Sequence, residues 1–161
     1  MPAESDPGIE IAVVPPQDED ARRCLDSYFA ELQARFEAGF DRTLGKDLAD
    51  AEMTPPAGCF LLARDGGRAI GCAALVRLDA GAAEIKRMWT APEARGRGVA
   101  RRMLAELEKT ARRAGYRKLF LDTNRALTEA QALYRSLGFV ETARYNDNPY
   151  ADFWFEKDLA G

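Results

Sequence analysis

The chain has no histidine. That absence removes a Ser-His-Asp triad, a Cys-His pair and any histidine-ligated metal from consideration. Proton transfer in such a protein falls to carboxylate, tyrosine, lysine, cysteine, backbone or water. Cysteine is scarce as well. Cys24, Cys59 and Cys72 are an odd, scattered set without paired metal-ligand spacing, and Cys59 and Cys72 stand inside apolar runs. Buried free thiols are the expectation, and no metal. No apolar run reaches the roughly 20 residues that span a bilayer. Met1-Pro2-Ala3-Glu4-Ser5-Asp6 lacks the basic and apolar regions of a signal peptide. A cytoplasmic protein with no membrane partner is expected. An excess of positive charge is missing too: 23 basic residues against 26 acidic give a net charge of −3. This argues against a chain-wide affinity for nucleic acid but leaves local basic patches free to meet phosphates.

What is present is a globular balance, 47% hydrophobic and 30% charged over 161 residues, enough for one ordinary domain and too little for two. Residues 1–161 therefore read as a single domain, with residues 1–8 a polar, mobile tail carrying Pro2, Pro7 and Gly8. The most informative stretch is Arg95-Gly96-Arg97-Gly98-Val99-Ala100, which stands between a strand-like segment ending in Met88-Trp89-Thr90 and an amphipathic helix. Val99, Met103, Leu107, Ala111 and Ala114 recur at helical spacing, and Gly115 supplies a stop. Glycines let backbone approach a ligand, and the unpaired N–H groups and positive end of the helix favour an anion such as a pyrophosphate. The same hexapeptide read alone is a glycine-rich loop with solvated arginines.

The rest of the chain supplies the context. A first strand is expected over residues 11–14. Leu25, Tyr28, Phe29, Leu32 and Phe36 then mark one face of a helix starting near Asp18 or Asp20 and stopping by Gly39. The aromatics of that face, Tyr28, Phe29 and Phe36, read as core. A short helix is expected around residues 46–52, before Pro55-Pro56. Residues 59–63 and 69–78 form a hairpin across Asp65-Gly66-Gly67, and Asp79-Ala80-Gly81 turns into the strand that carries Glu84. Leu119-Phe120-Leu121-Asp122 is a buried strand. Thr128 and Gln131 have capping-box spacing at the start of a helix that Gly138 ends, and two last strands cover residues 139–143 and 151–156.

Two signatures in this order, Arg95-x-x-Gly98-x-Ala100 and Leu133-Tyr134-x-x-x-Gly138-Phe139, resemble those of the GNAT superfamily of N-acetyltransferases. The resemblance is strongest over residues 84–139, which it marks as an acetyl-CoA-binding core, and looser from about Gly58 to the end of the chain. It implies an α+β fold, a mixed sheet of about six to seven strands flanked by about four helices. In that fold the strands of residues 84–90 and 119–122 run parallel and splay apart to hold the pantetheine arm of acetyl-CoA. Carried over residue by residue, backbone N–H groups of Arg95, Gly96, Arg97, Gly98, Val99, Ala100 and Arg101 meet the pyrophosphate. Backbone of Met88, Trp89 and Thr90 meets the pantetheine, and arginines among Arg95, Arg97, Arg101 and Arg102 add charge, Arg95 and Arg97 first.

The resemblance also points to catalytic residues. Glu84 lies 11 residues before Arg95, the spacing at which the histone-acetylating branch places its general base. Its ordinary alternative is a salt bridge to Lys86, Arg87 or a neighbouring strand. Tyr134 matches the tyrosine that protonates the departing CoA thiolate, or else packs its ring beside Leu133 and Leu137. One departure stands out: Leu127 occupies the position where the family often has a CoA-contacting asparagine, and Asn124, three residues earlier, is the candidate substitute. The polar aromatic loop of residues 145–150 is a common place for acceptor recognition.

The activity implied is acetyl transfer from acetyl-CoA to a primary amine, directly and in a ternary complex. A small or amino-acid-like amine fits the acidic residues Glu31, Glu37, Asp41 and Asp147, and a homodimer stays open. Two other classes compete. A non-catalytic acyl-CoA-binding regulator would keep the cradle without turnover. A Rossmann-type nucleotide module would need a complete Gly-x-Gly-x-x-Gly, whereas Gly96-x-Gly98 is followed by Arg101.

Overall fold

In the computed structural model, which describes residues 8–36, 39–41 and 48–159, the strand pattern closes into one seven-stranded sheet. Its strands are β1 (Ile9–Val13), β2 (Cys59–Asp65), β3 (Arg68–Asp79), β4 (Ala82–Thr90), β5 (Lys118–Thr123), β6 (Val140–Thr142) and β7 (Phe153–Asp158). Their order across the sheet is β1-β2-β3-β4-β5-β7-β6. All neighbours are antiparallel except the central β4–β5 pair. Three α-helices pack on it among the described residues: α1 (Glu19–Arg35), α2 (Val99–Arg113) and α3 (Thr128–Ser136). Single 3-10 turns stand at Asp50–Met53 and Pro92–Ala94. The short helix expected around residues 46–52 is that first turn, and residues 42–47 lie outside the described part, as do residues 1–7 of the expected tail.

Strand alternation sorts the core into two faces. Ala83 and Ile85 of β4 and Leu119 and Leu121 of β5 pack under Val99, Met103, Leu107 and Ala111 of α2. Ala74 and Val76 of β3, with Phe60 and Leu62 of β2, meet Ala21, Cys24 and Leu25 of α1. Fully burying a Leu or Met at such positions contributes roughly 1.5–3 kcal/mol each. Asp18 caps α1, its carboxylate accepting from the N–H groups of Asp20 (2.9 Å) and Ala21 (3.2 Å), so the earlier of the two expected starts is the one used.

Three expectations need correction. Strand β1 starts at Ile9 rather than residue 11, because Ile9 is buried and pairs with Asp65, extending the ladder past Glu10. Ala114 is exposed beyond the last turn of α2 and takes no part in its apolar face. The capping box at Thr128 and Gln131 does not form. Leu127 occupies the cap, and the Gln131 amide reaches back to the carbonyls of Asn124 (3.2 Å) and Arg125 (3.3 Å) instead.

Candidate active site

The site begins with a gap in the sheet. β4 and β5 pair only at Ala82–Lys118, Ala83–Leu119 and Glu84–Phe120, after which both strands continue without each other, to Thr90 and Thr123. A bulge helps to turn β4 away: its register against β3 shifts between the Cys72 and Ala74 pairings, and Arg87 adopts φ 56°. A non-glycine residue held there is strained, the kind of feature found beside functional sites. The Ala91 N–H donates to the Ile70 carbonyl, so odd-numbered backbone here faces β3. The backbone N–H of Thr90 therefore faces the gap, and Met88, beside the bulge, lines both cavities.

A cavity of about 410 Å³ runs from this gap to the start of α2, lined by Met88, Trp89, Thr90, Arg95, Gly96, Gly98, Val99, Ala100 and Arg101. Gly96 (φ 82°) and Gly98 (φ 78°) are both left-handed, and nothing lies within 4 Å of where a Cβ on Gly96 would stand. Gly98 caps α2 with no side-chain hydrogen bond, so the first N–H groups of a 15-residue helix stay available for an anion. Of the arginines, Arg101 lines the cavity, whereas Arg102 donates to the Ile9 carbonyl (3.1 Å) elsewhere. Arg95 lines it too, held by the Thr90 carbonyl (3.1 Å) and paired with Glu31 of α1. Arg97 does not line it; its guanidinium pairs with Asp65 at 2.8 Å. Asn124 also stands off this cavity, its side chain donating to the Tyr150 carbonyl (2.7 Å) and accepting from the Ala126 N–H (2.9 Å). Leu127 lines the wall in its place.

A second, smaller cavity of about 100 Å³ lies on the α1 side, between the separated strands. The two share Tyr28, Leu32, Met88, Leu127 and Tyr134. Tyr134 is buried, its ring against Phe139 and Phe155, and among the described residues its hydroxyl takes no hydrogen bond. Burial, with Tyr28 and Asp122 nearby, raises its hydroxyl well above the ordinary tyrosine range, and Tyr28 is raised by burial and Asp122 in the same way. Two protonated phenols thus stand at the junction.

Glu84 lines neither cavity. Its carboxylate, 3% exposed as a residue, accepts from the Tyr145 hydroxyl (2.6 Å), the Asn146 amide (3.1 Å) and Lys86 Nζ (3.2 Å). The carboxylate that does line the smaller cavity is Asp122, which accepts from Asn146 (2.6 Å) and Asn148 (3.1 Å) and sits 3.6 Å from the same Lys86. Asn146 clips the pair together: its amide nitrogen serves both carboxylates, and its oxygen accepts from Trp154 Nε1 (2.9 Å) and the Asn148 N–H (3.2 Å). Burial and Glu84 hold the Tyr145 hydroxyl far above its usual value. Glu84 is thus a member of a buried network and not a group open to a substrate.

Other acidic candidates are committed elsewhere. Glu31 pairs with Arg95 and Arg35, and Asp147 is fully in solvent. The Asp41 N–H donates to the Tyr150 hydroxyl (2.7 Å), and Glu37 lies outside the described residues. Sequence reasoning missed Tyr28, Leu32 and Arg35 of α1, which with Glu31 wall the larger cavity. Tyr28, expected in the core, lines both cavities. The available signal was polar Glu31 and Arg35 interleaved with an apolar face. Asp122, a lone carboxylate ending an apolar strand, was a second such signal.

Comparisons agree with this geometry. Residues 25–139 match the model of the acetyltransferase (GNAT) family. An N-acetyltransferase of Schizosaccharomyces pombe, itself uncharacterised, is 34% identical over 146 residues, 86% of each chain. A GNAT-family acetyltransferase from Staphylococcus aureus superposes with a TM-score of 0.80 at 21% identity, covering 94% of this chain and 99% of its own. A GNAT-family acetyltransferase from Elizabethkingia anophelis, solved with acetyl-CoA bound, gives 0.65 at 19% identity, covering 94% and 98%. Splayed strands, an open helix N-terminus behind two left-handed glycines, and a match over most of the chain place this protein in the GNAT acetyltransferase family.

Proposed function

We propose that the protein is an acetyl-CoA-dependent N-acetyltransferase that carries acetyl to a primary amine by direct attack in a ternary complex, without a metal. The observation that carries this reading is the meeting of two cavities at the β4–β5 gap. The larger fits acetyl-CoA: backbone N–H groups at Gly96 to Arg101 suit the pyrophosphate, with charge from Arg101 and Arg95. Backbone of Met88 to Thr90 suits the pantetheine amides, filling positions that β5 leaves unpaired. Both cavities draw on the one sheet, so the chain works as a single domain, and its three free thiols suit the reducing cytoplasm.

The amine enters from the smaller cavity and forms its bond to the acetyl carbonyl carbon as the C–S bond breaks, its electron pair leaving on sulfur. Holding both reactants at one junction supplies the main acceleration, by orientation. The amine must lose a proton, and Asp122 is the carboxylate facing it. Glu84, assigned that role by spacing, is instead a positioning residue that holds Lys86 and, through Asn146, Asp122. Tyr134 donates a proton to the departing thiolate and regains one afterwards.

The test is CoA release from acetyl-CoA with a panel of primary amines, alongside melting curves. Acetyl-CoA at about one hundred times Kd stabilises a fold by about 2.7 kcal/mol. A melting shift with CoA release is expected. A shift without release for any amine would favour a non-catalytic acyl-CoA-binding regulator, and a shift with NAD alone a nucleotide module.

A further inference from the structure

Resting on the acetyl-transfer reading, we infer that the acceptor is a small free amine on a short apolar stem, held beneath a wall that Tyr150 builds against the end of α1. A protein N-terminus or lysine side chain is not the substrate. The smaller cavity is polar at one end and aromatic at the other. Asp122, with Lys86 and Asn148, forms the polar end, and Phe36, Phe40 and Tyr150 form the aromatic one.

The three rings make a continuous wall. Tyr150 lies 4.6 Å from Phe40 and 5.7 Å from Phe36 between centroids, and Phe36 and Phe40 meet at 5.9 Å. Tyr150 is also pinned at both ends: its carbonyl accepts from the Asn124 amide (2.7 Å), and its hydroxyl accepts from the Asp41 N–H (2.7 Å) and donates to the Asp41 carbonyl (3.3 Å). The loop before β7 is thereby joined to the segment after α1, over the aromatic end of the smaller cavity.

Size and polarity then choose the substrate. At about 100 Å³ the smaller cavity has about a quarter of the volume of the larger one at 410 Å³. That space takes an ammonium or amine head and a short stem, not a residue with both flanking amides. Backbone amides drawn against Phe36 and Phe40 would be desolvated without partners. An amine head at Asp122 with its stem on the rings satisfies both ends.

The test measures CoA release by wild type, Tyr150→Ala and Tyr150→Phe with short alkylamines and arylalkylamines, and with hexapeptides carrying a free N-terminus or a lysine. Wild type should use the best small amine at least about 100-fold more efficiently, in kcat/KM, than any peptide. Tyr150→Ala should raise the KM for that amine about tenfold through the lost ring contacts, while moving the KM for acetyl-CoA less than about twofold. Tyr150→Phe keeps the rings and loses only the Asp41 bonds, so a rise of about threefold is expected, and it serves if the alanine variant does not fold. Peptides turned over as efficiently as small amines, or an unchanged amine KM in both variants, would overturn the inference while leaving acetyl transfer standing. Lack of a melting shift with acetyl-CoA is a separate result that removes the underlying reading, and this one with it.

Discussion

Replacing Asn146 by alanine tests the carboxylate network more sharply than any other single change. Its side chain makes four hydrogen bonds: to Glu84 at 3.1 Å, to Asp122 at 2.6 Å, and from Trp154 Nε1 at 2.9 Å and the Asn148 N–H at 3.2 Å. Two of the four serve buried carboxylates, whose side chains are 4% and 10% exposed, so water cannot easily replace the lost donor. Hydrogen bonds to charged groups contribute about 1.5–3 kcal/mol each, and stranding a buried charge costs about 3–5 kcal/mol. Lys86 still reaches both carboxylates, so the lower part of that range applies, about 3–4 kcal/mol. At roughly 2–4 °C per kcal/mol for a chain of this size, the melting temperature should fall by about 6–16 °C. Asn146→Asp should be worse at pH 7, because it sets a third carboxylate beside the other two. In the folded variant the introduced carboxyl is pushed above its unfolded value, so its deficit should shrink as pH falls towards about 4. Circular dichroism melts from pH 4 to 8 decide the matter. A loss under about 2 °C for Asn146→Ala would show that the network carries no stability and would refute the reasoning.

The remaining predictions concern the junction and the cradle. Tyr134→Phe removes a hydroxyl with no partner among the described residues, so stability should change by less than about 1 kcal/mol while kcat falls by about 10²-fold at most pH values; unchanged kcat would remove it as the acid. Gly98→Ala forces a side chain onto φ 78°, costing about 1–2 kcal/mol of stability. Its acetyl-CoA Kd should rise further than Gly96→Ala raises it, since only Gly98 caps α2, and equal rises would contradict this, as would none. Tyr28, Tyr134 and Tyr145 all have raised hydroxyls. Their neutral forms stabilise the fold fully below the unfolded value near pH 10, and that contribution is lost as pH rises above it. Absorbance at alkaline pH should therefore show these tyrosines ionising together with unfolding, and titration of all five tyrosines at ordinary values in a folded chain would refute it.

Much of the fold was legible because its devices are local. Gly66 and Gly67, both at positive φ, force the β2–β3 turn, and Val99, Met103, Leu107 and Ala111 mark one face of α2. The turn before α2 was legible for the same reason, since glycines ahead of an amphipathic helix leave a readable trace. The acceptor side was not. Tyr28 stands among apolar residues at helical spacing, and only the position of α1 over the β4–β5 gap turns it from core to cavity wall. Glu84 drew attention by its distance from Arg95. Strand alternation put it on the α1 face beneath Tyr145 and Asn146, contacts 61 and 62 residues away in sequence. The partners of Arg97 and Asn124 were equally out of reach, since Asp65 and Tyr150 come from other strands and loops.

Acetyl-CoA and the amine are proposed to meet at the gap between β4 and β5. A crystal structure with acetyl-CoA tests it most directly. The pyrophosphate is expected on backbone N–H groups between Gly96 and Arg101, pantetheine along Met88 to Thr90, and the thioester between Met88 and Tyr134, opening towards Asp122. A pyrophosphate bound away from the α2 N-terminus, or a thioester outside the space shared by Tyr28, Leu127 and Tyr134, would contradict it.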